Sequence, residues 1–266
     1  MNPKELKHVV SKKYGEIASS RQASDGSCCS SNSCCGTDGY TIFSDDYTAL
    51  KGYNPEADLH LGCGIPTEYA GIKKGDSVLD LGSGAGNDCF VARVLTGDSG
   101  WVTGLDFTDE MLNKAMENLT RTGFMNIEFI KGDIEDIPLA PDNYDVVLSN
   151  CVLNLVPDKH KAFSEIYRVL KPGGHFCISD IVISGALPDN LKEAAEMYAG
   201  CVSGAISKSY YLEIIQESGF TNINIHKEKE IIIPEDILIK HLSDKEISSY
   251  RSSGTAVLSI TITGEK

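Results

Sequence analysis

A glycine-rich turn that follows a short apolar run constrains the fold of this 266-residue chain more than any other feature. Residues 78–86 read V-L-D-L-G-S-G-A-G, with glycines at Gly82, Gly84 and Gly86. Glycines permit a tight turn and let a ligand approach the backbone closely, where side chains would block it. We therefore predict a buried strand, a ligand-binding turn and a helix in direct succession.

Strand and helix patterns alternate along the chain after this turn. Predicted strands cover residues 77–82, 101–106, 127–131, 144–149 and 175–183, and predicted helices cover 87–95, 109–120, 159–170, 189–199 and 208–218. Residues 256–263 alternate in strand fashion and are expected to pair antiparallel with a strand near 222–228. Alternation of this kind builds right-handed βαβ units. The expected fold class is therefore α/β, with a doubly wound and mostly parallel sheet.

Composition divides the chain into three segments. Residues 1–70 hold an amphipathic helix over the first twenty positions and a stretch rich in Ser, Gly, Asn and Asp that carries paired cysteines. Residues 71–219 carry the strand and helix alternation. Residues 220–266 form a smaller C-terminal extension of strands and helix. We predict a ligand-binding core, an N-terminal cysteine-bearing arm and this extension.

Acidic and amide side chains follow the predicted strands at the edge where the glycine turn lies. Asp106 ends the second strand, where its carboxylate could accept hydrogen bonds from both ribose hydroxyls of a nucleoside. Asp133 and Ile134 follow the third strand, where the carboxylate could accept the amino group of an adenine. Asn150 ends the fourth strand. A dinucleotide-binding dehydrogenase is the rival interpretation, but it requires G-x-G-x-x-G, whereas the glycines here are Gly82, Gly84 and Gly86, with Asp88 following.

The overall charge excludes several classes of partner. The formal net charge is −14, so no excess of Lys and Arg exists to displace counterions from nucleic acid or to bind an anionic membrane. No apolar run approaches the roughly 20 residues of a membrane span. The first residues contain lysines but no apolar segment of a secretory signal. We expect a cytoplasmic protein with no nucleic-acid or membrane partner.

Nine cysteines are unusual in a chain that carries no secretory signal. An odd number in this context favours metal or redox chemistry over a disulfide scaffold. Cys89 and Cys177 fall inside a predicted helix and strand and are expected to pack in the core. Cys151 lies at the strand-end rim, Cys201 in a later segment that can fold over it, and Cys63 between two glycines. Taken one at a time, these three are explained as well by packing as by chemistry.

Two sequence patterns are similar to the class I S-adenosylmethionine (SAM) methyltransferase superfamily. V-L-D-L-G-S-G-A-G resembles its first motif, and L-K-P-G-G at residues 170–174 resembles the turn before its fifth strand. The resemblance implies a seven-stranded sheet and SAM as cofactor. It implies that the methionine end of SAM is contacted by Asp80, Gly82, Gly84 and Asn150. It also implies that the ribose is contacted by Asp106, and the adenine by Asp133, Ile134, Phe107 and Met111.

Further motifs resemble those of the arsenite methyltransferase family, from the first helix to about Gly219. They are V-S-K-K-Y-G-E-I-A at residues 10–18, G-C-G-I-P at 62–66, S-N-C-V-L-N-L-V-P-D-K at 149–159 and G-C-V-S-G-A at 200–205. The resemblance implies that Cys63, Cys151 and Cys201 ligate As(III). It also implies a fourth functional thiol in the segment that holds Cys28, Cys29, Cys34 and Cys35, of which Cys34 or Cys35 is closer to the family's spacing. Leu61 stands where some members carry an aromatic residue.

Thiol chemistry agrees with this resemblance. Soft thiolates select soft, thiophilic centres such as trivalent arsenic. Methyl transfer converts As(III) to As(V), and a thiol pair that closes to a disulfide can return two electrons, with thioredoxin or glutathione as the final reductant. The expected substrate is arsenite or glutathione-bound As(III), and the expected products are mono- and dimethylarsenicals, a detoxification reaction.

Three alternatives stay open at this point. A quinone or small-metabolite C- or O-methyltransferase of the same superfamily would need a general base or an acidic acceptor carbon. A non-catalytic arsenic-binding protein would use the thiols but leave the cofactor motif unexplained. A zinc site in the cysteine pairs is disfavoured because C-C-x4-C-C lacks the C-x2-C spacing of zinc sites.

Overall fold

Seven strands form one central sheet in the computed structural model, which describes residues 3–20, 44–187, 204–232 and 235–266. The strands are β1 (Ser77–Leu81), β2 (Trp101–Asp106), β3 (Ile127–Lys131), β4 (Tyr144–Asn150), β5 (Leu170–Ser184), β6 (Thr221–Ile231) and β7 (Ala256–Glu265). The helices are α1 (Pro3–Ser20), α2 (Asn87–Thr96), α3 (Asp109–Thr122), α4 (Lys159–Val169), α5 (Lys208–Glu217), α6 (Glu235–His241) and α7 (Asp244–Ser252). Among the described residues, no helix is both long and apolar enough to cross a bilayer.

The strand order is β3-β2-β1-β4-β5-β7-β6. The first five strands pair in parallel, and β7 runs antiparallel to both β5 and β6. The order reverses between β1 and β4, so the carboxyl ends of these two strands border the crevice in which such sheets bind ligands. The α/β, doubly wound, mostly parallel sheet is confirmed, and the expected antiparallel pairing of the C-terminal strands is observed.

Alternation along the strands sends side chains to two apolar layers. Leu79 and Leu81 pack with residues of α4 and α5, whereas Val78 packs with residues of α2 and α3. This alternation follows from the two-residue period of a strand. Cys89 and Cys177 are fully buried in the second layer, as predicted.

The fifth strand differs from its sequence prediction. It begins at Leu170 rather than at 175, so the L-K-P-G-G segment belongs to the strand. Gly173 has φ +78°, and the pairing with β4 shifts register between Tyr144 and Val146. The breaker residues therefore produce an irregularity within the sheet rather than a separate turn.

The N-terminal helix α1 packs against α3 across the carboxyl ends of the strands. Gly15 lies against the Glu110 side chain, where a Cβ would come 3.1 Å from the carboxyl group. The Lys7 ammonium bonds the carboxylates of Asp133, at 2.5 Å, and of Glu135. These contacts place α1 over the edge of the sheet where a ligand is expected.

Candidate active site

A cavity of about 860 Å³, counting its open mouth, lies beside the glycine-rich turn. Its wall contains seven of the nine predicted cofactor residues, namely Asp80, Gly82, Gly84, Asp106, Phe107, Met111 and Asn150. It also contains Cys151, together with Val10 and Tyr14 of α1. One cavity therefore joins the glycine turn, the end of β4 and the N-terminal helix.

The glycine turn takes a shape that side chains would prevent. Gly82, Gly84 and Gly86 all have positive φ, of +67°, +52° and +95°, and a Cβ on Gly82 would come 2.5 Å from Val152. The Asp106 carboxylate accepts hydrogen bonds from the Gly84 N–H at 3.0 Å and from the Thr108 N–H at 2.8 Å. Burial raises the pKa of Asp106, and these backbone donors oppose the shift. Asp106 thus fixes the turn in addition to facing the cavity.

The cavity fits a ligand with polar and cationic groups. Within the described residues, the buried atoms Ser83 Oγ and Asn87 Oδ1 have no hydrogen-bond partner, and both residues line the cavity. Buried polar atoms are rarely left in this state unless a ligand or water completes them. Burial raises the pKa of Asp80 well above its usual range, and the nearby Asp88 carboxylate adds to the shift. A cationic group bound beside these two carboxylates would favour their ionised forms. The residues present therefore fit the amino-acid end of SAM.

Two predicted adenine contacts do not line the cavity. Asp133 is engaged by Lys7 of α1, and Ile134 is buried in the apolar layer beneath α4. Their roles stay predictions from the sequence. Lys7 was not singled out in the sequence, because it is one of several lysines at helical spacing.

Cys63 and Cys151 lie in one apolar cluster with Val10, Leu155 and Ile181, and they are 1% and 4% exposed. Cys151 has φ +59°, a left-handed conformation that non-glycine residues adopt rarely and that clusters at functional sites. Its N–H donates to the Ser179 carbonyl at 2.7 Å. The fold therefore brings together two of the three thiols that the sequence singled out.

The other five thiols that the sequence singled out belong to segments that the structure does not describe. Cys28, Cys29, Cys34, Cys35 and Cys201 lie outside the described residues. Among the residues described, no group of three His, Cys, Asp or Glu side chains has the arrangement of a metal site. The roles of Cys201 and of the paired cysteines thus stay predictions from the sequence.

Hydrogen bonds hold the Cys63 segment against the sheet. Asn150 Oδ1 accepts the Cys63 N–H at 3.0 Å, and Asn150 Nδ2 donates to the Gly64 carbonyl at 2.9 Å. Ser259 Oγ of β7 donates to the Cys63 carbonyl at 2.6 Å. A Cβ on Gly62 would come 2.6 Å from Asn150 Nδ2, and one on Gly64 would come 2.6 Å from Ser179 Oγ. Gly62 and Gly64 are thus required because the neighbouring side chains leave no space for a Cβ.

Two functional candidates were missed in the sequence. Tyr47 is 4% exposed, and its hydroxyl lies 2.9 and 3.1 Å from the two carboxylate oxygens of Asp88. Burial raises the pKa of Asp88 to about 6, although the Asn150 and Tyr47 bonds favour its ionised form. Tyr47 lies in a turn-rich segment without periodicity, so no signal marked it. Asp88 entered the sequence argument only as a departure from the dehydrogenase pattern.

A second buried carboxylate lies under the thiols. Tyr211 Oη donates to Asp180 Oδ2 at 2.9 Å, and burial raises the pKa of Asp180 to about 7. Burial, followed by the proximity of Asp180, Cys63 and Cys151, raises the pKa of Tyr211 well above its usual range. Lys159 Nζ donates to two backbone carbonyls at 3.0 Å each, and burial lowers its pKa. The buried pair of Asp180 and Tyr211 is therefore close to both thiols.

Comparisons with known proteins agree with this geometry. Residues 72–219 match a family model described as a methyltransferase domain. An arsenite methyltransferase of Halobacterium salinarum is 37% identical across all of this chain, which covers 68% of that relative. One of Aquipseudomonas alcaligenes is 38% identical over 75% of this chain, which covers 60% of that relative.

A solved structure has the same fold. The crystal structure of an arsenic(III) S-adenosylmethionine methyltransferase from Chlamydomonas reinhardtii superposes with a TM-score of 0.66 and 34% identity. The match covers 77% of this chain and 67% of that one. The chain belongs to the arsenite methyltransferase family and is a methyltransferase that uses SAM.

Proposed function

We propose that this chain transfers methyl groups from SAM to As(III) held by cysteine thiolates, giving mono- and dimethylarsenicals. The observation that carries the proposal is the position of Cys63 and Cys151, which are buried together beside the cavity that the glycine turn forms. The similarity to arsenite methyltransferases across the whole chain supports the same substrate.

The cavity residues would hold the cofactor by complementary chemistry. Ser83 and Asn87 have unused polar atoms for its amino-acid end, near the carboxylates of Asp80 and Asp88. Asp106 would accept hydrogen bonds from the ribose, and Phe107 and Met111 would contact the adenine. When bound, SAM supplies a methyl group on a positively charged sulfur.

The thiols would hold the acceptor in alignment with that methyl group. Each hydroxide of arsenous acid leaves as water with a thiol proton as an As–S bond forms at Cys63, Cys151 and Cys201. Three As–S bonds leave a lone pair that points away from the sulfurs. No general base is required, because arsenic loses no proton in the transfer. The protein contributes proximity and alignment, worth about 7–11 kcal/mol in well-oriented intramolecular cases.

A redox step would complete the cycle. Methyl transfer oxidises As(III) to As(V), and oxidation of two thiols to a disulfide returns the two electrons. We assign these thiols to the paired cysteines Cys28, Cys29, Cys34 and Cys35 acting with Cys63, with Cys34 or Cys35 as the preferred partner. Thioredoxin or glutathione would then reduce the disulfide. Arsenite or glutathione-bound As(III) would be the substrate, in a cytoplasmic detoxification reaction.

Arsenic speciation tests the proposal. The protein is incubated with arsenite, SAM and a thiol reductant, and the products are separated by chromatography with elemental detection. We expect methylated arsenicals together with an equivalent amount of S-adenosylhomocysteine. SAM binding without any methylated arsenic would exclude arsenite as the substrate. A single-turnover reaction without reductant separates the first transfer from the redox cycle, because only later turnovers need the disulfide to be reduced.

A further inference from the structure

Tyr47 connects the cofactor cavity to the segment that carries Cys63. It precedes the first strand, in a segment without regular structure, yet its side chain is buried and lines the cavity. Its hydroxyl contacts three groups: the Asp88 carboxylate, the Gly64 carbonyl at 3.1 Å and Asn150 Nδ2 at 2.8 Å. A buried hydroxyl with three polar neighbours indicates a specific role in the arrangement of those groups.

The directions of these hydrogen bonds follow from the number of hydrogens. The tyrosine hydroxyl has one proton, and the Asp88 carboxylate is a stronger acceptor than the Gly64 carbonyl. The hydroxyl oxygen can then accept one hydrogen of Asn150 Nδ2, and the other hydrogen lies between the Gly64 carbonyl at 2.9 Å and Asp88 Oδ2 at 3.1 Å. Asn150 Oδ1 is left facing the Cys63 N–H. Asp88 and Tyr47 therefore fix which way the Asn150 amide points.

The Asn150 amide in turn fixes the backbone around Cys63. It accepts from the N–H of Cys63 and donates to the carbonyl of Gly64, so it holds the backbone both before and after the Cys63 carbonyl. Asn150 also immediately precedes Cys151, so the same residue sets the position of both thiols. A rotated amide would place Nδ2 against the Cys63 N–H and Oδ1 against the Gly64 carbonyl, so both bonds to the Cys63 segment would be lost.

We propose that Tyr47 is a positioning residue for Cys63. Its hydroxyl, anchored on Asp88, orients the Asn150 amide that holds the Cys63 segment beside Cys151. This inference rests on the proposed role of Cys63 as an arsenic ligand. It assigns Asn150 to the acceptor side of the cavity in addition to the cofactor side that the sequence predicted.

The test compares two trivalent arsenicals that differ in the number of thiolates they need. Arsenite takes three, whereas phenylarsine oxide takes two, which the proposed ligands Cys151 and Cys201 would supply without Cys63. Both are titrated by calorimetry in a phosphine reductant, without SAM, into full-length protein whose paired cysteines, Cys28, Cys29, Cys34 and Cys35, are serine. Tyr47→Phe removes only the hydroxyl. We expect arsenite to bind about tenfold more weakly, as for the loss of one buried hydrogen bond, and phenylarsine oxide to bind with unchanged affinity.

Tyr144→Phe is the matched control. Its buried hydroxyl bonds Thr103 Oγ1 at 3.1 Å, and it begins the strand that Asn150 ends. This variant should bind both arsenicals like the parent protein. Should Tyr47→Phe fail to fold, Asp88→Asn gives the same selective loss, because it weakens the carboxylate bonds that anchor both the Tyr47 hydroxyl and the Asn150 amide. Equal weakening of both arsenicals, or of neither, would overturn the positioning role.

Cys63→Ser separates failure of this inference from failure of the proposed function. If Cys63→Ser binds arsenite as tightly as the parent, Cys63 is not a ligand and the functional assignment itself is wrong. If Cys63→Ser loses affinity but Tyr47→Phe does not, only the role of Tyr47 is rejected.

Discussion

Two buried aspartate–tyrosine pairs lie near the thiols, and they differ in what each carboxylate faces. Asp88 bonds Tyr47 and lines the cavity, whereas Asp180 bonds Tyr211 and is not among the residues that line it. Burial raises both pKa values, to about 6 for Asp88 and about 7 for Asp180. A buried aspartate that bonds a tyrosine thus occurs twice near the thiols, once in the wall of the cavity and once away from it.

The difference teaches that burial alone does not identify a functional carboxylate. A ligand entering the cavity can bring positive charge to Asp88, while Asp180 has only the buried ammonium of Lys159 as an opposite charge among the groups that shift its pKa. We therefore assign ligand binding to Asp88 and support of the thiol-bearing backbone to Asp180. The predictions below test that separation, starting with the thiols themselves.

Loss of Cys151 should have the largest effect. Cys151→Ser removes a proposed soft ligand at the one thiol, among the described residues, that lines the cavity, so we expect methylated arsenic to fall below detection while SAM still binds. Cys63→Ser should abolish methylation of arsenite but spare that of a monomethylated acceptor, which needs only two thiolates. Cys177→Ala, which alters a core thiol, is the control. Full activity of Cys151→Ser in arsenic speciation would refute the site.

The charge of Asp180 should be visible in the pH dependence of stability. The unfolded carboxyl ionises above about pH 4, but the folded one keeps its proton to about pH 7, so wild-type stability falls with rising pH in that window. Asp180→Asn cannot titrate. Each pKa unit corresponds to about 1.4 kcal/mol, so over the roughly two units between pH 5 and the folded pKa we expect the variant to gain about 2.5 kcal/mol on wild type between pH 5 and pH 8.

Urea unfolding at the two pH values measures this effect. Asp136→Asn, at an exposed carboxylate in the segment after β3, is the control and should show no such pH-dependent gain. A constant difference between Asp180→Asn and wild type at pH 5 and pH 8 would show that Asp180 is already ionised throughout.

Removing the charge of Asp88 should act on the cofactor instead. Hydrogen bonds and contacts to a charged group are worth about 1.5–3 kcal/mol, so Asp88→Asn should weaken SAM binding about tenfold or more in a calorimetric titration. Asp180→Asn should leave SAM affinity unchanged, because Asp180 does not line the cavity. Equal losses in the two variants would remove the distinction between the pairs.

Sequence reasoning succeeded where the structure is local. The glycine turn, the strand that precedes it and the helix that follows are contiguous, so their pattern could be read directly. The Cys63–Asn150 contact spans 87 positions, and the Lys7–Asp133 pair spans 126. Such contacts depend on how distant segments dock, which a periodic pattern does not encode. Hence neither the Lys7–Asp133 pair nor the contacts of Tyr47 with Asp88 and Asn150 were expected from the sequence.

The smallest effect is expected at Lys7. A substitution there tests whether α1 covers both the cofactor cavity and the cluster that holds the thiols. Val10 and Tyr14 of α1 line the cavity, and Val10 also packs in the cluster that holds the thiols. Lys7 bonds Asp133 and Glu135 beyond the third strand, with its side chain 30% exposed. Partly exposed ion pairs contribute about 1 kcal/mol or less.

Lys7→Glu should therefore open α1 more often without unfolding the sheet. We expect hydrogen exchange in α1 to become several-fold faster and SAM to bind about threefold more weakly, since a cavity that opens more often retains its ligand less well. Lys12→Glu changes an exposed lysine of the same helix and controls for helix charge. If the two variants behave alike, the Lys7 pairs do not hold α1 closed. If hydrogen exchange in α1 becomes faster but the affinity for SAM does not change, α1 opens without exposing the cofactor. In that case α1 covers only the thiols.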